Sequence, residues 1–263
     1  MASQDSLSSH AVRAIDPELA AGLAAAGLAR LESLTARDLG EAVTDHRSSW
    51  VRKVACGNLS VFVKTYAYST WRDRWRGIAR TTLFARSRAA REYDALRWLA
   101  TTGFAGPRPL AVFEQRRAGW LCVAVLVTQA WPGMAGNLDE LLPRLTPSEQ
   151  GRCLEALDRL VERLHAAGFR DRNFDLRNVL ARQHADGTFE LAKIDSPKFA
   201  LVRPGNREDQ GTRAAYDRVA RSLAALQLLP RDQSRQERGA LRNPRASAAS
   251  CPPRDAGTSP RST

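Results

Sequence analysis

The sequence predicts an α+β protein with two lobes, a small antiparallel-sheet lobe containing one helix and a reduced, mainly helical large lobe. In the first half of the chain, short runs of alternating apolar and polar residues are separated by turn residues, as expected for strands. In the second half, Leu157, Leu160 and Leu164 recur at the spacing of one helix face. With 263 residues, of which 43% are hydrophobic, the chain can fill the core of such a protein.

The two ends of the chain differ from its middle in composition. Residues 231–263 are rich in Arg, Ser and Pro and have almost no large apolar side chains, so we expect a disordered basic tail. We expect residues 1–15 to be disordered as well. The N-lobe is then predicted at residues 16–128 and the C-lobe at residues 129–230.

The first predicted elements of the N-lobe lead to a lysine at the end of a strand. A helix is expected at about residues 17–31, where leucines recur at roughly helical spacing. Residues 50–55 and 59–64 then alternate like two strands of a hairpin, with Gly57-Asn58 as the turn. The second of these strands ends in Lys64.

The rest of the N-lobe is predicted as one helix and two strands. The helix covers about residues 86–100, with Glu92 beside its buried stripe and Gly103 just past its end. Residues 107–114 and 120–128 alternate like two further strands. The predicted N-lobe is therefore mostly sheet, with a glutamate on its helix.

The C-lobe is predicted to be built around a long helix. Thr146-Pro147-Ser148-Glu149 forms a capping box with proline at the first helical position, and the apolar periodicity continues to Gly168. A loop at residues 169–177 follows, and a final helix is expected at about residues 213–227.

A hairpin after this loop carries two candidate metal ligands. Its strands are predicted within residues 178–181 and 189–195, with Asp186-Gly187 as a two-residue turn. In that register Asn178 and Asp195 face each other, with Cα atoms about 4.5–5.5 Å apart. Their amide and carboxylate oxygens are ligands of the kind that Mg²⁺ takes.

The order of these features is that of a bilobal, protein-kinase-like fold. A lysine ends a strand, a glutamate follows on a helix, and an asparagine and an aspartate flank a later hairpin. In this interpretation Lys64 contacts the α- and β-phosphates of ATP and Glu92 holds it by an ion pair. Asn178 and Asp195 bind the metal.

Five segments of the chain carry a more specific resemblance. Over about residues 50–226 the chain resembles the lipopolysaccharide kinases of the Kdo/WaaP type, in the segments Phe62-Val63-Lys64, Arg88-Ala89-Ala90-Arg91-Glu92-Tyr93, Gly106-Pro107-Arg108-Pro109-Leu110-Ala111, Leu164-His165-Ala166-Ala167-Gly168-Phe169 and Asp175-Leu176-Arg177-Asn178-Val179-Leu180. The resemblance implies a kinase-like fold and ATP-dependent phosphorylation of an inner-core sugar, Kdo or heptose. The acceptor would be lipid-linked, on the lipid A precursor at the cytoplasmic face of the membrane, and ATP and Mg²⁺ would be the cofactors.

The catalytic loop departs from the pattern of these kinases. They usually read H-x-D-x-x-x-x-N, and counting back five residues from Asn178 places Asn173 at the position of the catalytic base. An amide cannot accept the proton of a substrate hydroxyl as a carboxylate does. Asp171 and Asp175 lie two residues to either side, and one of them could substitute. Without such a base, the domain would be a nucleotide-binding pseudokinase.

The phosphate-covering loop also differs from that of protein kinases. No G-x-G-x-x-G motif precedes Trp50, and Gly40 is a poor substitute for one.

The formal net charge of +12 predicts attraction to anionic partners. Residues 71–91 contain seven arginines, and Trp71 and Trp75 are one helical turn apart. They either meet an anionic membrane surface or pack against the small lobe. The basic tail lacks interleaved aromatic residues, so no specific nucleic-acid partner is expected, although non-specific binding by charge is a third hypothesis. With no signal peptide or spanning segment in the sequence, we expect a cytoplasmic monomer that attaches peripherally to the inner membrane.

Overall fold

The computed structural model describes residues 17–28, 30–68, 85–203 and 210–226. The predicted disordered ends at residues 1–15 and 231–263 lie outside the described residues. So do Trp71 and Trp75, for which the sequence allows either contact with a membrane surface or packing against the small lobe.

A five-stranded antiparallel sheet forms the first part of the fold, in the strand order β1-β2-β3-β5-β4. Its strands are β1 (Glu41–His46), β2 (Ser49–Cys56), β3 (Leu59–Ala67), β4 (Pro109–Arg117) and β5 (Trp120–Gln129). Three helices accompany the sheet, α1 (Pro17–Ala25), α2 (Leu31–Leu34) and α3 (Arg88–Thr101). Cys56 pairs with Leu59, so the predicted two-residue turn at Gly57-Asn58 is confirmed.

The second part of the fold combines helices with two small antiparallel sheets. Its elements are β6 (Gly136–Asn137), α4 (Leu138–Leu141), α5 (Pro147–Ala166), β7 (Phe169–Asp171), β8 (Val179–Gln183), β9 (Phe189–Lys193), β10 (Phe199–Leu201) and α6 (Gln210–Ala225). One small sheet has the order β6-β8-β9, and the other pairs β7 with β10. The architecture is thus mixed α/β with antiparallel sheets, while its division into lobes at residue 128 stays a prediction.

The long helix α5 begins where the capping box predicts. The Thr146 side chain accepts a hydrogen bond from the Glu149 backbone, and the Glu149 side chain accepts one from the Thr146 N–H. The apolar face of the helix is buried, as the predicted spacing requires. Because α5 ends at Ala166, its packing fixes the start of the loop that follows.

The core divides into two clusters on opposite faces of the five-stranded sheet, because successive side chains of a strand point to opposite sides. Val125 and Val127 of β5 belong to the cluster that α1 and α2 cover. Ala124 and Leu126 belong to the other cluster, which includes residues of α3, α5 and the β8–β9 hairpin. Lys64 is paired with Leu126. Its strand position therefore turns it toward the second part of the chain.

The β8–β9 hairpin corrects one prediction. Gln183 pairs with Phe189, so five residues connect the strands instead of the two-residue turn at Asp186-Gly187. The Asp186 carboxylate accepts hydrogen bonds from the backbone and hydroxyl of Thr188, at 2.9 and 2.7 Å, and stabilises this wider turn.

The wider turn shifts the register of the hairpin by one residue. The Ile194 N–H donates to the Asn178 carbonyl at 2.9 Å, so Ile194 occupies the place opposite Asn178. The prediction that Asp195 faces Asn178 across the ladder is therefore wrong. Asp195 lies beyond the end of β9, with a positive φ of 52°.

Two glycine substitutions are expected to change stability in opposite directions. Gly40 has a φ of 53°, and a Cβ there would overlap the carbonyl oxygen of Lys53, so Gly40→Ala should lower the free energy of unfolding by about 2 kcal/mol. Gly151 lies within α5 with open space around it, so Gly151→Ala should raise that free energy by about 0.5–1 kcal/mol. Urea denaturation followed by tryptophan fluorescence measures both. Equal effects of the two substitutions would contradict this assignment.

Candidate active site

Three of the predicted site residues meet at one partly buried ammonium group. Lys64 Nζ lies 2.9 Å from Oε1 and 3.0 Å from Oε2 of Glu92, and 2.7 Å from Oδ1 of Asp195. The Glu92 side chain is 5% exposed, that of Asp195 16% and that of Lys64 22%. An amine and two carboxylates thus meet at one point. Lys64 comes from β3, Glu92 from α3, and Asp195 lies two residues after the end of β9.

The charges of this cluster stabilise one another. Burial acts to lower the pKa of Lys64, but the Glu92 and Asp195 carboxylates outweigh it and hold that pKa above its ordinary value. Burial acts to raise the pKa of Asp195, but Lys64 and Arg88 outweigh it and hold that pKa well below its ordinary value. Both groups are therefore charged near neutral pH.

The structure adds two residues that the sequence analysis missed. The Tyr66 hydroxyl donates to Glu92 Oε2 at 2.8 Å, and Arg88 NH2 lies 3.0 and 3.1 Å from the two carboxylate oxygens of Asp195. Tyr66 lies two residues after Lys64, on the same face of β3, and Arg88 lies one helical turn before Glu92. These spacings, visible in the sequence, place Tyr66 on the same face of β3 as Lys64 and Arg88 on the same side of α3 as Glu92, but they do not show which residues the two side chains contact.

The two predicted asparagines form a chain of hydrogen bonds that leads to Asp195. Asn173 Nδ2 donates to Oδ2 of Asp195 at 2.9 Å and to its backbone oxygen at 3.0 Å. Asn178 Nδ2 donates to the Asn173 carbonyl at 3.0 Å. Asn178 is therefore connected to Asp195 through Asn173, despite the register shift of the hairpin.

Asp171 lies inside the protein and holds the loop. Its carboxylate is 2.8 Å from Lys193 Nζ, with both side chains fully buried, and it accepts a hydrogen bond from Ser196 Oγ at 2.9 Å. It also accepts from the Asn173 N–H at 2.8 Å. Removing one partner of a buried ion pair costs about 3–5 kcal/mol, so a substitution here would act first on stability. Asp171 is the weaker of the two candidate bases.

Asp175 is more accessible but is bound by a neighbouring arginine. Its carboxylate accepts hydrogen bonds from the backbone N–H of Arg177 at 3.2 Å and from NH2 of that side chain at 3.1 Å. The Asp175 side chain is 26% exposed. The Arg177 side-chain hydrogen bond holds the pKa of Asp175 below its ordinary value, which makes the carboxylate a weaker proton acceptor.

The donor set fits a divalent cation that is shared with a nucleotide. The described part of the chain contains no group of three or more His, Cys, Asp or Glu residues arranged to hold a metal. Mg²⁺, however, is commonly bound by one or two carboxylates together with substrate phosphates. The Asp195 carboxylate is such a ligand, and Oδ1 of Asn178 is a second oxygen donor whose Nδ2 is already fixed by Asn173.

Comparison with known proteins assigns the family. A family model described as the lipopolysaccharide kinase (Kdo/WaaP) family matches residues 31–239, a range that includes every residue of the site. No curated protein matches the chain. A solved structure titled "WaaP in complex with acyl carrier protein" is 19% identical, with a TM-score of 0.49, and the alignment covers 80% of this chain and 88% of that one. Because the family model matches most of its length, the chain belongs to the Kdo/WaaP lipopolysaccharide kinase family, whose members are phosphotransferases that act on sugar hydroxyls.

Proposed function

We propose that the protein transfers the γ-phosphoryl group of ATP to an inner-core sugar of lipopolysaccharide, Kdo or heptose, at the cytoplasmic face of the membrane. The observation that carries the proposal is the shared ammonium group of Lys64, which Glu92 and Asp195 hold from two sides. Family membership supports the class of acceptor. The geometry supports a nucleotide as the phosphoryl donor.

Lys64 is the proposed ligand of the α- and β-phosphates. Both oxygens of Glu92 contact its ammonium group, and the Tyr66 hydroxyl fixes Glu92 in turn. A charge held in place before substrate arrives needs little reorganisation during the reaction, which is how preorganised sites stabilise a transition state. Asp195 and Asn178 would hold Mg²⁺, which neutralises charge on the phosphates when it is bound.

The acceptor hydroxyl needs a group that takes its proton as phosphoryl transfer completes. Asn173 cannot do so, and Asp171 is enclosed with Lys193. Asp175 is the remaining carboxylate of this loop and is partly exposed, so we assign it as the base. Phosphoryl transfer passes through a loose transition state in most analyses, and positioning and charge carry most of the catalysis, so a weak base is compatible with turnover.

One observation favours a second function, a regulatory pseudokinase. Asn173 occupies the position of the usual base, and its amide donates two hydrogen bonds to Asp195. In this alternative the loop orders the nucleotide site without serving proton transfer. The protein would then bind ATP and regulate a partner through its bound state.

Attachment to an anionic membrane surface is part of the main proposal. The net charge of +12 supports it, and Trp71 and Trp75 with the neighbouring arginines are the proposed contacts. A cytoplasmic, monomeric protein without a specific nucleic-acid partner would suit this role. Among the described helices, none combines the length and apolar character needed to cross a bilayer.

The first test of the proposed function is phosphorylation of a lipid A precursor that carries Kdo or heptose. With ATP and Mg²⁺, mass spectrometry should detect a phosphorylated sugar. Asp195→Asn should lower the rate by about 10²–10³-fold, the loss expected when charge stabilisation of the transition state is removed, because it replaces the carboxylate proposed to hold Mg²⁺ against the phosphates. Asp38→Asn, at an exposed position away from the cluster, is the matched control and should leave the rate unchanged. Full activity of Asp195→Asn would rule the proposal out.

Replacement of Asp175 separates the kinase from the pseudokinase. If Asp175 is the base, Asp175→Asn should reduce turnover by about 10²–10⁴-fold and leave the thermal stabilisation by ATP intact. Single-turnover assays and melting temperatures with and without ATP measure the two effects. A wild-type protein that is stabilised by ATP but shows no transfer to any tested acceptor would favour the pseudokinase instead.

A further inference from the structure

We infer that Arg88 binds the terminal phosphate of the nucleotide, as a second phosphate-binding cation beside Lys64. The inference rests on the proposed nucleotide site and adds a residue to it. Arg88 is the first residue of α3, and its guanidinium lies over the Tyr66 ring, 5.1 Å from the ring centroid. Arg88 lies one helical turn before Glu92, so both side chains are on the same side of α3.

The contact between Arg88 and Asp195 leaves the arginine incompletely paired. A guanidinium offers parallel N–H donors that match a carboxylate or phosphate with two bonds, one to each oxygen. Here NH2 alone contacts both oxygens of Asp195, at 3.0 and 3.1 Å, and Nε is buried without a hydrogen-bond partner. A buried unpaired donor is costly. An incoming phosphate oxygen would supply the missing acceptor.

Of the two cations in the cluster, Arg88 has fewer contacts than Lys64 and can more readily exchange its carboxylate partner for a phosphate. Lys64 is held by both oxygens of Glu92 as well as by Asp195. The Arg88 side chain, by contrast, is 41% exposed, and Asp195 is its hydrogen-bonding partner among the described residues. Movement of Arg88 to a phosphate would remove one donor from each oxygen of Asp195, leaving Lys64 on Oδ1 and Asn173 on Oδ2, and would make that carboxylate more available to a divalent cation.

The charge balance of the cluster requires a cation for the added phosphates. Lys64 and Arg88 together balance Glu92 and Asp195, so the described cluster has no surplus positive charge. His46 pairs with Ser49, so the turn between β1 and β2 consists of Arg47 and Ser48. This turn contains no glycine and provides no glycine-rich backbone to cover a triphosphate. Side-chain cations must take a larger share of phosphate binding, and the guanidinium is suited to two-pronged contact with phosphate oxygens.

The test compares ATP and ADP binding to the full chain by calorimetry, in the presence of Mg²⁺. Arg88→Ala should weaken ATP binding about tenfold or more and leave ADP binding unchanged, since a charge-assisted contact to the terminal phosphate is lost. Arg88→Lys should fall between Arg88→Ala and wild type, because it keeps the charge without the paired donors. Arg97→Ala, at an exposed position of the same helix, is the matched control and should bind both nucleotides like wild type.

The outcomes separate this inference from the proposed function. ADP binding by Arg88→Ala, or a melting temperature equal to that of wild type, shows that the variant is folded. If wild type and Arg88→Ala bind ATP equally, or if the folded variant loses ATP and ADP binding to the same extent, the assignment of Arg88 to the terminal phosphate is wrong and the nucleotide site stands. If wild type binds neither nucleotide, the proposed function fails and the role of Arg88 fails with it.

Discussion

The site depends on the ion pairs of the partly buried Lys64 ammonium group with Glu92 and Asp195. Lys64 contacts both Glu92 of α3 and Asp195, which follows β9, although these residues are far apart in the chain. Partly buried charges are tolerated when each has partners, and loss of one partner leaves the others uncompensated. The two core clusters, one on each face of the sheet, therefore serve function by keeping β3, α3 and the hairpin in place.

A second set of contacts, made by Asp171, Lys193, Ser196 and Asn173, holds the segment that carries Asp195. The fully buried ion pair of Asp171 and Lys193 connects the end of β7 to the end of β9, and Ser196 donates a hydrogen bond to the same Asp171 carboxylate. Asn173 then connects this support to Asp195 itself. The positive φ of Asp195 is uncommon for a residue with a side chain and occurs where surrounding contacts hold the backbone. Asn173 thus helps to hold the Asp195 carboxylate in place.

The sequence predicted the parts of the fold that local signals determine. The Gly57-Asn58 turn, the capping box of α5 and the strand that carries Lys64 follow from neighbouring residues. The β8–β9 register did not follow, because Asp186 binds Thr188 and widens a turn that the dipeptide alone would close. Strand β1 was missed since all its residues are exposed and leave no apolar alternation. The Arg88 contact joins residues that lie far apart in the sequence, so spacing could only suggest its side of the helix.

A crystal structure with a non-hydrolysable ATP analogue and Mg²⁺ tests the central claim most directly. The account predicts phosphate oxygens within hydrogen-bonding distance of Lys64 Nζ, with the Glu92 ion pair retained and Asp195 on the metal. A nucleotide bound away from Lys64, or a Lys64 that leaves Glu92 when the nucleotide binds, would contradict it.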